Sequence, residues 1–190
     1  MHTINRSKRI STSQNIWFVL GLSGSGKSYI SNFIAQKNNW VHLEIDQTSK
    51  GDGIDLFGLR NEWDLFYHRG IGEGLIEKLK MIYQSAAKEG IVVSFPSRYV
   101  IAREQIGTIK KGVKVIYLSG KKGFCLTSFL QREKETGRNL SSTYWQINND
   151  IPAMLISDKS LRAARINVFT QTGNYKTTEE IFTEIVNLDM

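Results

Sequence analysis

The stretch Gly21-Leu22-Ser23-Gly24-Ser25-Gly26-Lys27-Ser28 constrains this chain more than any other, because it follows the apolar run Ile16-Trp17-Phe18-Val19-Leu20 without a break. The order reads as strand, glycine-rich loop, helix, and the spacing fits G-x-x-x-x-G-K-[ST]. In that pattern backbone N–H groups wrap polyphosphate oxygens, the Lys27 ammonium reaches the β- and γ-phosphates, and the Ser28 hydroxyl ligates Mg²⁺. The glycines allow a left-handed backbone and a close approach to the anion that a Cβ would obstruct. A helix predicted over 27–37 aims its N-terminal dipole and unpaired N–H groups at the same anion. The predicted nucleotide contacts are Gly21, Ser23, Gly24, Ser25, Gly26, Lys27, Ser28 and Tyr29.

A strand that feeds such a loop belongs to an α/β architecture, and the rest of the chain supplies the partners. Tyr29, Ile30, Phe33 and Ile34 recur at helical spacing and are expected to pack the first helix on a sheet. Trp40 to Asp46 alternates with period two, which puts Val41, Leu43 and Ile45 on one face and His42, Glu44 and Asp46 on the other. Carboxylates near the C-terminal end of a buried parallel strand need a reason. Ligands of open α/β sheets bind at that end, where an acid can hold Mg²⁺ or take a proton from a substrate hydroxyl. Helices are predicted over 60–67 and 71–88, the second with Leu75, Ile76, Leu79, Ile82 and Tyr83 on one stripe. Gly90 to Pro96 reads as a buried third strand without an acidic residue, so no Walker B aspartate stands there; Ser94, Ser97 and Arg98 stand at its end instead.

A helix over 98–108, a fourth strand over 113–118 and a helix over 121–136 follow. That helix ends in Arg132-Glu133-Lys134-Glu135-Thr136-Gly137-Arg138. The residues themselves allow a solvated helix end with a glycine cap and i,i+4 ion pairs, or a lid whose two arginines neutralise a transferring phosphoryl group. A helix over 141–157, in which Trp145 and Ile147 supply apolar surface, a last strand over 166–170, and a helix over 178–187 opened by the capping box Thr177-x-x-Glu180 complete the pattern. Five strands alternating with helices imply one parallel sheet with crossover connections.

Lys and Arg number 25 against 18 acids, a formal charge of +7, which favours polyanionic partners. Part of that excess, Arg6, Lys8 and Arg9, lies in a basic tail over 1–14, ahead of a single domain over 15–190. The one cysteine, Cys125, has no internal bridging partner and suits a reducing cytoplasm as a small buried apolar residue. No run approaches the roughly 20 apolar residues that span a bilayer, so no membrane association is expected.

With these residues laid out, the chain resembles small kinases of the shikimate kinase and gluconate kinase type, within the nucleoside-monophosphate-kinase-like P-loop group. The resemblance implies a three-layer α/β/α fold with a five-stranded parallel sheet in the order 2-3-1-4-5. Glu44-x-Asp46 is similar to the acidic pair of shikimate kinases, which implies Glu44 beside Ser28 on the metal and Asp46 as the catalytic, substrate-binding carboxylate. Arg60 is the candidate for the arginine that grips the substrate carboxylate in that family; Ser97 and Arg98, by their place at the end of the third strand, are further candidates for acceptor binding. Val115 to Arg138 is similar to the strand, helix and lid of gluconate kinases, which implies a lid over about 132–145 with Arg132 and Arg138 in it. The segment Thr170-Gln171-Thr172-Gly173 resembles the one that lies along the adenine. Ser94-Phe95-Pro96-Ser97 replaces the Gly-Gly-Gly of shikimate kinases, and Trp63 and Asp64 match neither family, so the acceptor pocket differs from both.

The expectation is an ATP- and Mg²⁺-dependent kinase acting on a hydroxyl of a small polar metabolite, with Lys27, Asp46, Arg132 and Arg138 catalytic. A nucleoside or nucleotide kinase, with Trp63, Phe66 or Tyr67 stacked on the acceptor base, is the second reading. A non-enzymatic module that reads RNA or a protein through the basic surface is third, so nucleic acid is the least favoured partner. Nothing in the sequence sets an oligomeric state.

Overall fold

The computed structural model describes residues 15–45, 58–69, 72–95, 112–138, 140–149 and 165–188. In chain order these form β1 (Ile16–Gly21), α1 (Lys27–Asn38), β2 (Val41–Glu44), α2 (Leu59–Arg69), α3 (Glu73–Ser85), β3 (Ile91–Ser94), β4 (Lys114–Ser119), α4 (Lys122–Glu135), α5 (Ser142–Asn148), β5 (Arg165–Asn167) and α6 (Thr178–Asn187). The predicted helix over 98–108, the tail over 1–14 and the second half of the helix over 141–157 lie outside the described residues.

The five strands form one sheet in the order β2-β3-β1-β4-β5, and every pairing is parallel. β1 is central, and all six of its residues are buried. This is why its sequence is apolar without alternation: a parallel strand covered on both faces has no solvent side. Alternation within β1 then divides the core. Trp17 and Val19 face a cluster with Ile30 and Ile34 of α1, Cys125 and Phe129 of α4, Trp145 of α5 and Ile181 and Ile185 of α6. Phe18 and Leu20 face the other cluster, with Leu59, Trp63 and Phe66 of α2 and Leu75, Leu79 and Ile82 of α3. Helices therefore cover both faces, in three layers.

Element ends follow local chemistry. α1 stops where Asn39 turns left-handed at φ 57°, a conformation asparagine tolerates better than most residues. α6 starts at the predicted capping box, in which the Thr177 hydroxyl accepts from the Glu180 N–H and the Glu180 carboxylate accepts from the Thr177 N–H. α4 ends in a Schellman turn: Gly137 sits at φ 71°, its N–H donates to Lys134 O, and the Arg138 N–H reaches back to Glu133 O at 2.8 Å.

Three expectations are corrected. Tyr29 is 73% exposed and does not pack α1 on the sheet; Ile30 and Ile34 do so, with Phe33 partly buried. Ile147 is 74% exposed, so Trp145 alone carries the apolar contact expected of that pair. The last strand ends at Asn167, after which Phe169 forms an antiparallel bridge to Tyr175 and the chain turns back on itself. Among the described residues no helix is long and apolar enough to cross a membrane.

Candidate functional site

The loop between β1 and α1 is shaped by its neighbours. Gly24, at φ 83°, lies so close to α4 that a Cβ there would come within 2.0 Å of Cys125 O. Gly26, at φ 81°, is the N-cap of α1, and its nearest neighbour to a Cβ is a Tyr175 ring carbon at 3.5 Å. Gly24 thus answers both a dihedral and a packing demand, and Gly26 only the first. α1 carries no side-chain cap and no acidic residue in its first turn. Neither a capping side chain nor an acid of its own first turn offsets its N-terminal dipole, the arrangement in which helix N-termini hold phosphate.

A cavity of about 660 Å³ opens on this loop. It is lined on one side by Gly24 to Ile30, on another by Thr127, Ser128, Gln131, Arg132 and Glu135 of α4, and on a third by Gly173 to Lys176. That volume is in the range of small-molecule sites. The Ser25 hydroxyl is buried at the loop without a hydrogen-bond partner, and a buried polar atom left unpaired is costly unless a ligand completes it. An orphaned hydroxyl, an uncapped helix start and a lysine at one cavity fit a polyphosphate. For Mg²⁺ the oxygen donors are few: no cluster of three or more His, Cys, Asp or Glu exists among the described residues. The ion asks for no more, since it binds through one or two protein oxygens, water and substrate phosphates.

Of the predicted nucleotide contacts, Gly24, Ser25, Gly26, Lys27, Ser28 and Tyr29 line the cavity. The Lys27 ammonium donates to Leu22 O at 3.0 Å, folded along the loop. Gly21 and Ser23 lie outside the lining. Ser23 is instead an anchor: its N–H donates to Asn149 Oδ1 at 2.6 Å, and its carbonyl accepts from the Trp145 indole N–H at 2.9 Å. Asn149, 1% exposed, also donates to Trp145 O, so the end of α5 grips the loop backbone.

Glu44 and Ser94 are register partners at the ends of β2 and β3. They lie on the strand faces opposite Leu43 and Val93, which pack with α2 and α3, and so face the layer that holds α1. His42 shares that face and bonds the Ser94 hydroxyl at 3.0 Å. Burial holds the His42 pKa below its ordinary value, and the Glu44 carboxylate offsets this in part. β3 contains no acid, as expected. Arg60 is exposed on the first turn of α2 and is not part of the cavity lining. Asp46, Ser97 and Arg98 lie outside the described residues.

Arg132 lines the cavity, and Arg138 is not part of its lining. Both pair with one carboxylate. Glu133 Oε1 accepts from Arg132 Nε at 3.0 Å and Nη2 at 2.7 Å, and from Arg138 Nη2 at 3.2 Å. Its Oε2 lies 2.9 Å from Arg138 Nε in an ion pair without hydrogen-bond alignment. Neither contact has the i,i+4 spacing expected of a solvated helix end, and Glu133 is buried.

Sequence reasoning missed Asn149, Glu133 and Tyr175. The Tyr175 hydroxyl donates to Gly24 O, and its pKa is raised, chiefly by burial and against the effect of a hydrogen bond to Ser128. The signal for Tyr175 was an aromatic residue between a Gly-Asn turn and the capping box; Asn149 and Glu133 gave none. Cys125 is fully buried and its thiol is pushed up to about 11, again by burial, so it is a neutral packing residue as expected. Trp63 and Phe66 pack with Phe18 and Phe95 in the core, so neither is a platform for an acceptor base.

A parallel sheet ordered 2-3-1-4-5, covered by helices on both faces, with a glycine loop between its central strand and the next helix, defines the three-layer P-loop fold. Solved structures with this fold include a gluconokinase from Sinorhizobium meliloti, 19% identical over 92% of this chain and 90% of that one, with a TM-score of 0.50. A shikimate kinase from Acinetobacter baumannii in complex with shikimate is 16% identical over 93% of each chain, also at 0.50. The YorR protein from Bacillus subtilis, in complex with phosphorylated GDP, is 14% identical over 92% of this chain and 95% of its own, at 0.50. No protein-family model and no curated protein sequence matches the chain. The fold expected from the resemblance to gluconate and shikimate kinases is thus the fold observed.

Proposed function

We propose that the protein is a cytoplasmic ATP-dependent kinase that transfers the γ-phosphoryl group to a hydroxyl of a small polar metabolite. The observation that carries this reading is the single cavity that joins the phosphate loop to Arg132 of α4, in a fold shared with gluconate and shikimate kinases. In this reading the loop N–H groups and Lys27 hold the polyphosphate, and Ser28 with Glu44 offers the oxygens for Mg²⁺, which supplies charge neutralisation when bound. Asp46, two residues beyond Glu44, orients the acceptor hydroxyl and takes its proton as the acceptor oxygen bonds the γ-phosphorus and the bond to the ADP oxygen breaks. Arg132 and Arg138 neutralise the charge on the transferring group. Arg60, Ser97 and Arg98 are the candidates for acceptor binding. Positioning and electrostatics carry most of phosphoryl transfer, so this set suffices.

The test is a screen of hydroxylated metabolites for ADP formation with ATP and Mg²⁺. Lys27→Ala is expected to abolish turnover while retaining the fold; undiminished phosphotransfer in that variant would refute the assignment. A nucleoside or nucleotide acceptor is the second reading, favoured by the likeness to the YorR structure that holds phosphorylated GDP. Competition by free nucleosides against the metabolite substrate distinguishes the two.

A further inference from the structure

Glu133 is hard to explain by stability. It is 1% exposed and lies in the last turn of α4, where the helix dipole disfavours a negative charge. A buried carboxylate loses its hydration, and even a well-made buried ion pair often does no more than repay that loss. What the carboxylate does achieve is geometric. Arg132 and Arg138 are like charges that would splay apart in water. Glu133 Oε1 accepts from Nη2 of both, which holds those two nitrogens no more than about 6 Å from each other. The Schellman turn at Gly137 is what returns Arg138 to this position. Both arginine side chains remain more than half exposed, at 53% and 59%, and the Arg132 guanidinium is further steadied 5.3 Å over the Phe129 ring. Their Nη1 groups have no partner among the described residues. Two guanidinium groups with fixed spacing and outward donors, one of them on the cavity of the phosphate loop, form a receptor for a tetrahedral oxyanion.

We infer that Glu133 is a positioning residue whose buried carboxylate sets Arg132 and Arg138 side by side as a two-armed receptor for a phosphoryl group at the rim of the phosphate-loop cavity. The identity of that anion as the terminal phosphate of a bound polyphosphate rests on the kinase reading; the pairing of the arginines through Glu133 does not. Glu133 touches no reacting atom and acts only through the arginines.

The experiment is calorimetric titration with inorganic tripolyphosphate, a probe that needs no phosphotransfer. The proteins are the wild type, Glu133→Gln, Arg138→Ala and the double variant, with thermal unfolding followed in parallel. Glu133→Gln and Arg138→Ala are each expected to weaken tripolyphosphate by about tenfold. Adding Arg138→Ala to Glu133→Gln is expected to cost less than about twofold more, because the second arm is already released. If Glu133→Gln does not fold, Glu133→Met, which fills the site without a charge, takes its place in the cycle. Wild-type affinity in the Glu133 variant, or losses that multiply, would overturn the inference, since a merely structural glutamate would not make the arginine loss non-additive. Tighter binding in the variant would also overturn it, by showing that the carboxylate competes with the anion. A wild type that does not bind tripolyphosphate overturns it outright. Glu133-dependent binding without ADP formation from any acceptor leaves the inference standing and removes the kinase assignment instead.

Discussion

Gly24 and Gly26 share a backbone conformation but not an environment, and substituting alanine at each separates the two demands on the loop. Their φ angles are 83° and 81°. A residue with a Cβ pays about 1–2 kcal/mol for the left-handed conformation at either position. At Gly26 that is the whole cost, because the nearest atom to the new methyl is 3.5 Å away, an ordinary contact. At Gly24 the methyl would stand 2.0 Å from Cys125 O and 3.0 Å from Phe129 N, both backbone atoms of α4, which cannot swing aside as a side chain can. Either the loop or the helix must move, and forced overpacking of this kind adds about 1–3 kcal/mol. Gly24→Ala should therefore cost about 2–5 kcal/mol against about 1–2 for Gly26→Ala. In a chain of this size each kcal/mol lowers Tm by about 2–4 °C. Thermal unfolding followed by circular dichroism should show a loss on the order of 10 °C for Gly24→Ala and about 4 °C for Gly26→Ala. Equal losses would mean that α4 does not press on the loop as described, and with it would go the argument that this contact shapes the anion cradle.

Asp46→Asn should lower kcat by a factor on the order of a hundred or more while leaving ATP affinity little changed, as general-base loss does; collapse of nucleotide binding would assign Asp46 to the metal instead. His42 takes a proton near pH 6.5 when unfolded but only at lower pH in the fold, so the unfolded state binds more protons across that window, and stability must fall as pH drops below 6.5. Denaturant unfolding at pH 7.5 and 5.5 should show a smaller difference for His42→Gln than for the wild type; identical differences would refute the role of His42. Thr177→Ala removes the capping hydroxyl of α6 and should cost about 1 kcal/mol. A Tm unchanged to within a degree would show that the cap is not stabilising the helix.

The elements that could be read in advance are those whose cause is contiguous. β1, the loop and α1 follow one another, so the glycines, the lysine and the serine declare their purpose within a few residues. The capping box of α6 is legible for the same reason, and so is the Leu75, Leu79 and Ile82 stripe of α3, whose buried face repeats at the helical period. Helical spacing puts Tyr29 on one stripe with Phe33 but does not say how wide the covered stripe is, whereas Ile147, two residues after the buried Trp145, lies on the opposite side of its helix and is exposed for that reason. Lys114 shows the opposite case. A lysine in a strand reads as a solvent-facing residue, yet it is buried, donating to Ile185 O at 2.8 Å with its ammonium 4.8 Å over the Trp17 ring. Its partners come from β1 and α6, remote in the chain.

By itself, then, the sequence determined a parallel α/β sheet with a phosphate loop at its centre, because periodicity and loop chemistry are local and short-range sterics enforce them. Only the tertiary structure decided which groups surround that loop. Asn149 reaches Ser23 across 126 residues of chain and Tyr175 reaches Gly24 across 151. Glu133 becomes an arginine clamp only when packing buries its carboxylate and the turn at Gly137 brings Arg138 back. Burial and long-range pairing are properties of the packed layers, and a carboxylate that reads as one more surface charge takes its role from what covers it.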